Sequence, residues 1–474
     1  MSMKLGLTFS DVLLVPKRTP LNSRTEADTT SKWTKNITLK VPLVSSNMVT
    51  VTEHKMAIAM AREGGLGVIH QFGSIEEQVM EVVKVKRSTS YVIENPICAS
   101  PNITINDAVH VMNKEGVTSL LIKEGDELVG IFTSRDYLFQ QDWTRLVKDV
   151  MTPRSRLITG SHDIKLEDAK KILHANRIEK LPLLKEGNVA GLITTKDIKR
   201  LEYWPNSTRD VKGRLRVAVA VGVKDTVERA KALVNAGADC IVIDIAHAHS
   251  NLVIQRVKEL KAAFSVDVMV GNIATADAAR DLIEAGADGL KIGIGPSPVC
   301  TTRVIAGSGV PQLTAIMDVV AVAREAGVPV TADGGMKWPG DVAKALAAGA
   351  SSAYSGTLFA GTDEAPGMII LKDGKRYKKY HGSASYESTH KRTEHRHGKP
   401  VKERLDVFVE GVSTLVNYKG AVGDVISAIM KGVQSGMSYC GAKTIHEMWA
   451  NAEFMQITSA GWTESGSRGM KTQD

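Results

Sequence analysis

Residues 291–303 read KIGIGPSPVCTTR and place a cysteine directly after a short apolar strand and a turn rich in glycine and proline. Residues 289–295 predict a buried strand that ends in glycines, and Pro296 and Pro298 can continue neither a strand nor a helix. Cys300 is therefore predicted to lie on a loop. A loop thiol flanked by hydroxyl groups and by the Arg303 cation is a better candidate nucleophile than a thiol inside an apolar strand. The alternative is a small residue that only packs.

This predicted strand is one of eight short apolar segments, three of which end in glycine and all of which alternate with helical patterns. The eight segments are residues 42–46, 66–70, 216–223, 240–246, 268–273, 289–295, 328–335 and 352–356. Continuous apolar strands that alternate with helices indicate a parallel sheet, and eight of them predict an α/β fold of the (β/α)8 TIM barrel type. An open doubly wound sheet is the alternative, and it is disfavoured because no Gly-x-Gly-x-x-Gly turn opens the first unit.

An internal repeat interrupts this pattern between the second and third segments. The motif that begins at Asp107 recurs at Asp168, and residues 130–136 (GIFTSRD) recur as residues 191–197 (GLITTKD), both 61 residues later. Two motifs that share one offset indicate a duplicated unit whose copies pack together as one small domain. We therefore predict a barrel formed by residues 1–92 and 205–474, with residues 93–204 as an inserted domain.

Composition and charge limit the class of protein. The chain has 474 residues, of which 43% are hydrophobic, so it can bury a large core. No signal peptide or long apolar run is found, which predicts a cytoplasmic protein that does not enter a membrane. Four cysteines lie far apart without a CxxC pair, which argues against a disulfide framework and a zinc site.

Much of the net charge of +8 lies in one stretch, because residues 372–404 contain eleven Lys or Arg and four Asp or Glu. A nucleic-acid surface would place such charge on a helix or sheet with interleaved aromatic residues, and this stretch is predicted to be irregular. Nucleic acid is therefore not a predicted partner. A solvated basic loop and a lid over an anionic ligand are the two interpretations.

In a TIM barrel the chemistry lies at the carboxyl ends of the strands. Polar or glycine residues of interest stand at six predicted strand ends: Asn47, Asp244 with His247, Asn272, Cys300, Asp333 and Gly356. Each alone could be a strand-end cap, but together they predict a site.

Two glycine-containing turns, residues 333–335 and 355–357, follow the last two strands, where such barrels often bind phosphate through backbone N–H groups. The carboxylate of Asp333 would suit a ribose diol. The residues thus suggest a nucleoside monophosphate beside a nucleophilic cysteine.

Two resemblances cover essentially the whole chain. The insert resembles a tandem of cystathionine-β-synthase (CBS) domains, whose second copy opens with the sequence VMTP at residues 150–153. The barrel resembles the IMP dehydrogenase and GMP reductase family through residues 7–16 (LTFSDVLLVP), 300–303 (CTTR), 311–315 (PQLTA), 332–335 (ADGG), 359–362 (FAGT), 418–420 (YKG) and 441–443 (GAK). CBS pairs commonly bind ATP- or GTP-type nucleotides, and the family resemblance implies a homotetramer or octamer with a mobile flap at about residues 372–420.

The family resemblance also implies roles for single residues. Cys300 would attack C2 of the purine ring, Thr302 would help at the leaving group, and Asp333 would contact the ribose. The other substrate-binding residues are Asn47, Gly335, Gly356, Thr357, Tyr380 and Ser383. The nicotinamide cofactor is assigned to Asp244, His247 and Asn272, and the carbonyl groups of Gly293, Gly295 and Cys300 match positions where family members bind a potassium ion.

The two enzymes of this family share the cysteine adduct, so the catalytic loop does not separate them. The dehydrogenase hydrolyses its adduct with an Arg-Tyr pair on the flap. Counting without gaps from Gly382 and back from Glu410 places this pair at Arg396 and His397. An imidazole does not readily replace a phenol that activates water, so adduct hydrolysis is in doubt.

Other positions resemble one or the other of the two enzymes. Asn47 and Leu313 resemble the reductase, whereas the insert, the long basic flap and residues 457–461 resemble the dehydrogenase. Catalytic positions carry more weight, because an insert or a flap length is compatible with either chemistry. We predict an NADPH-dependent GMP reductase of purine salvage that converts GMP to IMP and ammonia. IMP dehydrogenase, which converts IMP, NAD and water to XMP and NADH, is the alternative, and a nucleotide-binding regulatory protein without turnover is the third hypothesis.

In the reductase hypothesis, Glu410 acts with Thr302 to protonate the departing ammonia, because an amide anion is a very poor leaving group. One departure from the family pattern concerns phosphate binding. Pro298 stands where the family has a phosphate-binding serine, and the lost contact would then come from Ser297 or from flap cations.

Overall fold

A computed structural model describes residues 3–88, 91–388, 390 and 409–466. The chain divides into two compact units. One contains Met1–Ser88, Asn206–Thr208 and Leu215–Asp474, and the other contains Thr89–Pro205 and Arg209–Arg214. No helix in the described part of the chain is both long enough and apolar enough to cross a bilayer.

The first unit is built around a closed barrel of eight parallel strands, which confirms the predicted TIM barrel. Each strand pairs with its neighbours in chain order, and the eighth pairs with the first. The strands are β1 (Leu43–Ser45), β2 (Leu66–Ile69), β3 (Ala218–Val221), β4 (Cys240–Asp244), β5 (Asp267–Ile273), β6 (Gly289–Ile292), β7 (Val330–Asp333) and β8 (Ser352–Ser355).

Eight helices accompany these strands. They are α1 (His54–Arg62), α2 (Ile75–Ser88), α3 (Thr226–Asn235), α4 (Asn251–Ala263), α5 (Ala276–Glu284), α6 (Gln312–Ala323), α7 (Pro339–Ala347) and α8 (Val422–Tyr439). Helices α3 and α5 are each followed by an alanine and then by a glycine, Gly237 or Gly286, with a φ of 102°. That left-handed conformation suits glycine and turns the chain into the next strand.

Alternation along the strands separates two parts of the core. Val44 of β1, Val68 of β2 and Val242 of β4 belong to a cluster that also contains Trp33, whereas their neighbours Leu43 and Ile69 pack in the larger cluster with the helices. Strand side chains alternate between the interior of a barrel and its helical layer. The barrel interior is therefore filled with side chains, and space for a ligand is left at the strand ends.

Seven of the eight barrel strands are shorter than their sequence patterns, and in β6 the glycine-rich end leaves the sheet. Strand β6, predicted to reach Gly295, ends at Ile292, since Gly293 and Gly295 adopt φ values of 147° and 78°. These values are rarely open to other residues. The chain therefore leaves the sheet seven residues before Cys300, and that distance allows the loop to form.

The predicted irregular basic stretch is partly regular, which corrects that prediction. Lys375–His381 is a strand that pairs antiparallel with Ile370–Lys372 and with Ser413–Asn417. Lysine-rich strands lack the apolar alternation by which strands are recognised. Pairing with a segment more than thirty residues away cannot be seen in the local pattern.

Shorter elements complete the first unit. They are the strands Val12–Leu14, Ser31–Lys32, Thr38–Leu39 and Phe454–Gln456, the helices Thr302–Ile305, Ile445–Asn451 and Ser459–Glu464, and the 3-10 turns Phe9–Asp11 and Arg24–Glu26. Val12–Leu14 pairs antiparallel with Phe454–Gln456, so the two ends of the described chain meet.

The second unit is a structural repeat. Its first copy contains helix Ile105–Glu115, strands Ser119–Glu124 and Glu127–Thr133, and helix Ser134–Tyr137. Its second copy contains helix Leu166–Ala175, strands Lys180–Lys185 and Asn188–Thr194, and helix Thr195–Glu202, and each element begins 61 residues after its counterpart. The short strands are Val92–Ile93, Cys98–Ala99, Thr152–Pro153 and Gly160–Ser161, and the 3-10 turns are Val147–Asp149 and Arg154–Arg156.

The two copies share one sheet and a small core. Strands Glu127–Thr133 and Asn188–Thr194 are neighbours in that sheet, and Leu121, Leu128 and Ile131 of the first copy pack with Leu192 of the second. This packing agrees with the expectation that neither copy buries its apolar face alone. The CBS assignment itself stays a prediction.

Candidate active site

A cavity of about 510 Å³ lies at the carboxyl ends of the barrel strands. Residues at the carboxyl ends of all eight strands line it, together with Tyr380 of the Lys375–His381 strand and residues of the segment after that strand. Its volume is within the range of small-molecule and cofactor sites. The predicted site residues that line it are Asn47, Asp244, Asn272, Gly293, Gly295, Cys300, Thr302, Asp333, Gly356, Thr357, Tyr380, Ser383 and Glu410.

Cys300 lies on the loop after β6, as its sequence context predicted. Its backbone N–H donates to the carbonyl oxygen of Ser297 at 3.0 Å, and its thiol lies 3.2 Å from the hydroxyl of Thr302. Arg303 secures the loop by donating to the carbonyl oxygens of Ile294 at 3.2 Å and Val310 at 2.6 Å. The Arg303 guanidinium therefore stabilises the loop and also places a positive charge near the thiol.

Glu410 completes a hydrogen-bonded series with the thiol. The Thr302 hydroxyl donates to the Glu410 carboxylate at 2.6 Å, so its oxygen is available to accept from Cys300. The Glu410 carbonyl oxygen accepts from Thr301 N–H at 2.9 Å, and its N–H donates to Ala384 at 3.1 Å. A carboxylate, a hydroxyl and a thiol are thereby held in series by backbone hydrogen bonds. Arg396 and His397 lie outside the described residues.

The floor of the cavity is a cluster of charged and amide groups around Lys291. Its ammonium donates to Asp244 Oδ1 at 2.8 Å and Asp333 Oδ2 at 2.9 Å, and also to the amide oxygen of Asn272. Burial alone would lower the pKa of Lys291, but the carboxylates of Asp244 and Asp333 outweigh it and raise that pKa above its usual value. The lysine is therefore a permanent cation.

Asn47 joins this cluster from the end of β1. Its amide nitrogen donates to Asp244 Oδ2 at 2.8 Å, and its amide oxygen accepts from the Tyr354 hydroxyl at 2.6 Å. Burial, followed by the charges of Asp244 and Asp333, raises the pKa of Tyr354 well above its usual value. The phenol thus remains protonated and fixes the orientation of the Asn47 amide.

The predicted phosphate corner lies where the β8 loop meets the Lys375–His381 strand. The hydroxyl of the buried Tyr380 lies 3.3 Å from the Thr357 hydroxyl. Burial raises the pKa of Tyr380, which keeps this hydroxyl neutral and able to donate. Ser297 also lines the cavity, whereas Pro298 is exposed and does not, so Ser297 is the serine available to a phosphate.

Of the predicted site residues that the structure describes, two do not line the cavity. His247, assigned to the cofactor, is exposed, because the next residue, Ala248, is buried and its N–H donates to the carbonyl oxygen of Asn272 at 2.9 Å. Gly335 lies one residue beyond Gly334, which does line the cavity. The roles proposed for these two residues stay predictions.

Two residues of the site were missed from the sequence: Lys291, which bonds to residues of the cavity lining, and Gln71, which belongs to that lining. Lys291 is a charge inside an apolar strand, which is itself a signal of a buried ion pair or site. Gln71 follows β2 as the other candidates follow their strands, so the strand-end rule would have found it. Its amide nitrogen donates to the Asp244 carbonyl at 3.2 Å, and its amide oxygen has no partner among the described residues.

At the potassium site predicted from Gly293, Gly295 and Cys300, protein donors already bond to backbone carbonyl oxygens of the loop. The Gly293 carbonyl already accepts from the Asn272 amide at 2.7 Å. Arg303 donates to the carbonyl between the two glycines. Potassium binding by this loop therefore stays a prediction.

A substitution at Gly356 tests the predicted phosphate corner. A Cβ there would lie 2.5 Å from Met48 Sδ and 2.6 Å from the Tyr380 hydroxyl, and Tyr380 has no room to move. We expect Gly356→Ala to lower the free energy of unfolding by about 1–3 kcal/mol and to raise KM for the nucleotide. The control is Gly340→Ala, where nothing lies within 4 Å. Equal KM values for both variants would contradict the predicted role.

Alkylation of the four thiols tests whether Cys300 faces the ligand. Cys240 is fully buried, and burial followed by the charge of Asp267 raises the pKa of its thiol well above its usual value. It should react only after unfolding. We expect saturating GMP to slow iodoacetamide labelling of Cys300 by about tenfold or more and to leave the exposed Cys98 unaffected. Peptide mass spectrometry would measure both rates, and unprotected Cys300 would contradict the placement.

Comparisons with known proteins all point to the same family. A family model described as "IMP dehydrogenase / GMP reductase domain" matches residues 6–468. An inosine-5'-monophosphate dehydrogenase from Nitrosopumilus maritimus (strain SCM1) is 48% identical over 471 residues, which cover 98% of each chain. A GMP reductase from Leishmania donovani is 45% identical over 475 residues, which cover 98% of this chain and 96% of the relative.

Solved structures of similar proteins include GMP reductases from Trypanosoma brucei. A Cys-to-Ala variant in complex with guanosine 5'-monophosphate matches with a TM-score of 0.87 and 43% identity over 99% of each chain. A complex with guanosine 5'-triphosphate matches with a TM-score of 0.76 and 40% identity, covering 97% of this chain and 99% of the other.

Proposed function

The chain belongs to the IMP dehydrogenase/GMP reductase family of oxidoreductases, which act on purine nucleotides with nicotinamide cofactors, and on this premise we propose that it is a GMP reductase. In this proposal it converts GMP to IMP and ammonia with NADPH. The observation that carries it is the hydrogen-bonded series of Cys300, Thr302 and Glu410. Reductive deamination needs a nucleophile and a proton source for the departing nitrogen, and this series supplies both.

The first half of the reaction follows from this geometry. The Cys300 sulfur adds to C2 of the purine, and its proton passes to the ring as the C–S bond forms. The C2–N bond to the exocyclic amine then breaks as Glu410, in its protonated form, delivers a proton through the Thr302 hydroxyl, so that neutral ammonia leaves. A proton from solvent restores Glu410 for the next turnover. The bound nicotinamide cofactor would supply the hydride that C2 finally carries. When the C–S bond breaks, Cys300 leaves as a thiolate, and the proton that the ring took from it returns to the sulfur and regenerates the thiol.

The residues present fit a nicotinamide on the side of the cavity formed after β2, β3 and β4. The amide oxygen of Gln71, which has no hydrogen-bond partner within the described part of the chain, is an acceptor that a carboxamide N–H would satisfy. Lys224, exposed at the rim, would attract the phosphates of the dinucleotide. The preference for NADPH is part of the proposal, and parallel assays with NADPH and NADH would test it.

IMP dehydrogenase is the second candidate because relatives with that name are as similar as those named GMP reductase. The dehydrogenase must hydrolyse its adduct, which requires a residue that activates water. The sequence has His397 where the family pattern predicts tyrosine. Asn47, which is hydrogen-bonded to Tyr354 and Asp244, also favours the reductase, as does Leu313.

Paired assays with purified protein test the proposal. With GMP and NADPH, the NADPH absorbance should fall while ammonia accumulates in equal amount. NADH formed from IMP and NAD, with no change in the first assay, would instead establish the dehydrogenase. Calorimetric binding of GMP or IMP without turnover of either pair would establish the regulatory hypothesis.

We also propose that the CBS-like insert, residues 93–204, binds ATP- or GTP-type nucleotides. The complex of the Trypanosoma brucei relative with guanosine 5'-triphosphate supports a purine ligand beyond the substrate. Calorimetry with GTP and ATP, with the catalytic cavity saturated by IMP, would test this. The proposed homotetramer or octamer would be tested by light scattering with and without these nucleotides.

A further inference from the structure

Lys291 is a buried charge, with 1% of its surface exposed, and it bonds to three residues of the cavity lining. It stands in β6, and its ammonium reaches Asp244 at the end of β4 and Asp333 at the end of β7. Its ammonium also lies 5.2 Å from the centre of the Tyr354 ring in β8. One side chain thereby connects the ends of four strands.

Burying a charged ammonium at this position is energetically unfavourable. The groups that bond to Lys291 therefore indicate its role. Removing an ammonium from water costs several kcal/mol, which hydrogen bonds to carboxylates offset only when the geometry is good. Here the ammonium uses all three of its protons, on two carboxylates and one amide oxygen. If Lys291 only filled space, an apolar side chain of similar volume would do so without the free-energy penalty of burying a charge.

The bonds to Lys291 also orient Asp333. Oδ2 of Asp333 accepts from Lys291 at 2.9 Å and from the Asn272 amide at 2.9 Å. Oδ1 receives no hydrogen bond from the described residues, and Asp333 lines the cavity. One carboxylate oxygen is thus fixed by the protein while the other is presented to a ligand, which is the arrangement that a ribose diol requires.

We propose that Lys291 is a positioning residue for nucleotide binding, acting through the carboxylate of Asp333. It does not itself touch the nucleotide. It fixes Oδ2 of Asp333 so that Oδ1 meets the ribose hydroxyls without a further cost in side-chain entropy. The inference rests on the proposed function only for the identity of the nucleotide, because a ribose is common to GMP and IMP.

The competing explanation is that Lys291 only balances charge. Asp244 and Asp333 together carry two negative charges, and without a cation between them they would repel each other in a buried site. A double variant separates the two explanations. Lys291→Met combined with Asp244→Asn removes one positive and one negative charge, so the net charge of the cluster is unchanged, but Asp333 still loses its ammonium partner.

The experiment measures the dissociation constants of GMP and IMP by calorimetry for the full chain. We expect Lys291→Met to weaken binding by about 10- to 100-fold, since a hydrogen bond to a charged partner is lost. The double variant should bind equally weakly even though it folds. At saturating nucleotide, kcat should fall less than the affinity does.

The matched control is Lys344→Met. Lys344 is also a buried lysine, with 7% of its surface exposed, and its ammonium donates to the Phe9 carbonyl at 2.8 Å, far from the cavity lining. This variant should lose stability and keep nucleotide affinity. Recovery of wild-type affinity in the double variant, or an equal loss in Lys344→Met, would overturn the proposal. Because GMP and IMP binding are read directly, failure of the proposed GMP reductase activity would leave this test intact.

Discussion

Cys300→Ala is expected to lower kcat for either family reaction by at least about 10⁴-fold and to leave nucleotide binding nearly unchanged. Both reactions proceed through the C–S bond, and no other nucleophile lies beside the Thr302 hydroxyl among the described residues. Removing the sulfur leaves the remaining cavity lining in place. Steady-state turnover and calorimetric affinity for GMP would be measured on the same preparation.

Cys98→Ala is the matched control, because Cys98 is exposed in the other unit and lies outside the cavity lining. It should turn over at the wild-type rate. Turnover within about tenfold of wild type in Cys300→Ala would show that the covalent mechanism is wrong. Loss of both binding and turnover with intact folding would show that Cys300 acts in binding rather than in chemistry.

Glu410→Gln is expected to lower kcat for GMP by about 10²–10⁴-fold with little change in KM. Glutamine keeps the shape and can still accept from Thr302, but it has no acidic proton to pass through the hydroxyl. The departing amine then leaves without general-acid assistance. Thr302→Val should have an effect of similar size, and the two substitutions should be far from additive because they interrupt one relay.

Glu453→Gln is the control for this relay, since Glu453 makes a surface ion pair with Lys17 at 3.4 Å and does not line the cavity. Its kcat should equal that of the wild type. Additive effects of Glu410→Gln and Thr302→Val would contradict a shared proton path. An unchanged kcat in Glu410→Gln would remove Glu410 from the reaction.

The barrel could be predicted from sequence because its strands are buried on both faces. Val68 and Ile69 in β2, and Val242 and Ile243 in β4, are apolar at consecutive positions although they face different layers. Glycines after the helices and strands then mark the elements. The strand-end rule follows from topology alone, so Asn47, Asp244, Asn272 and Asp333 could be brought to one cavity without coordinates.

The contacts between these residues could not be predicted in the same way. Lys291 reaches past β5 to Asp244 of β4 and also bonds to Asp333 of the neighbouring β7. These contacts depend on the geometry of the barrel and on the length of the lysine side chain, which no local sequence pattern encodes. The exposure of His247 likewise depends on the hydrogen bond from the Ala248 N–H to the Asn272 carbonyl oxygen, which the local sequence does not reveal. Glu410 was found by its family position, and its bond to Thr302 joins residues 108 positions apart.

The most direct test of the central claim follows the exocyclic nitrogen of the substrate. GMP labelled with ¹⁵N at the 2-amino group would be incubated with NADPH and the purified chain, and the products would be followed by NMR. The proposed function predicts one labelled ammonium ion and one proton bound to C2 for each NADPH consumed. Retention of the label in the nucleotide, together with NADH formation from IMP and NAD in the parallel sample, would contradict it.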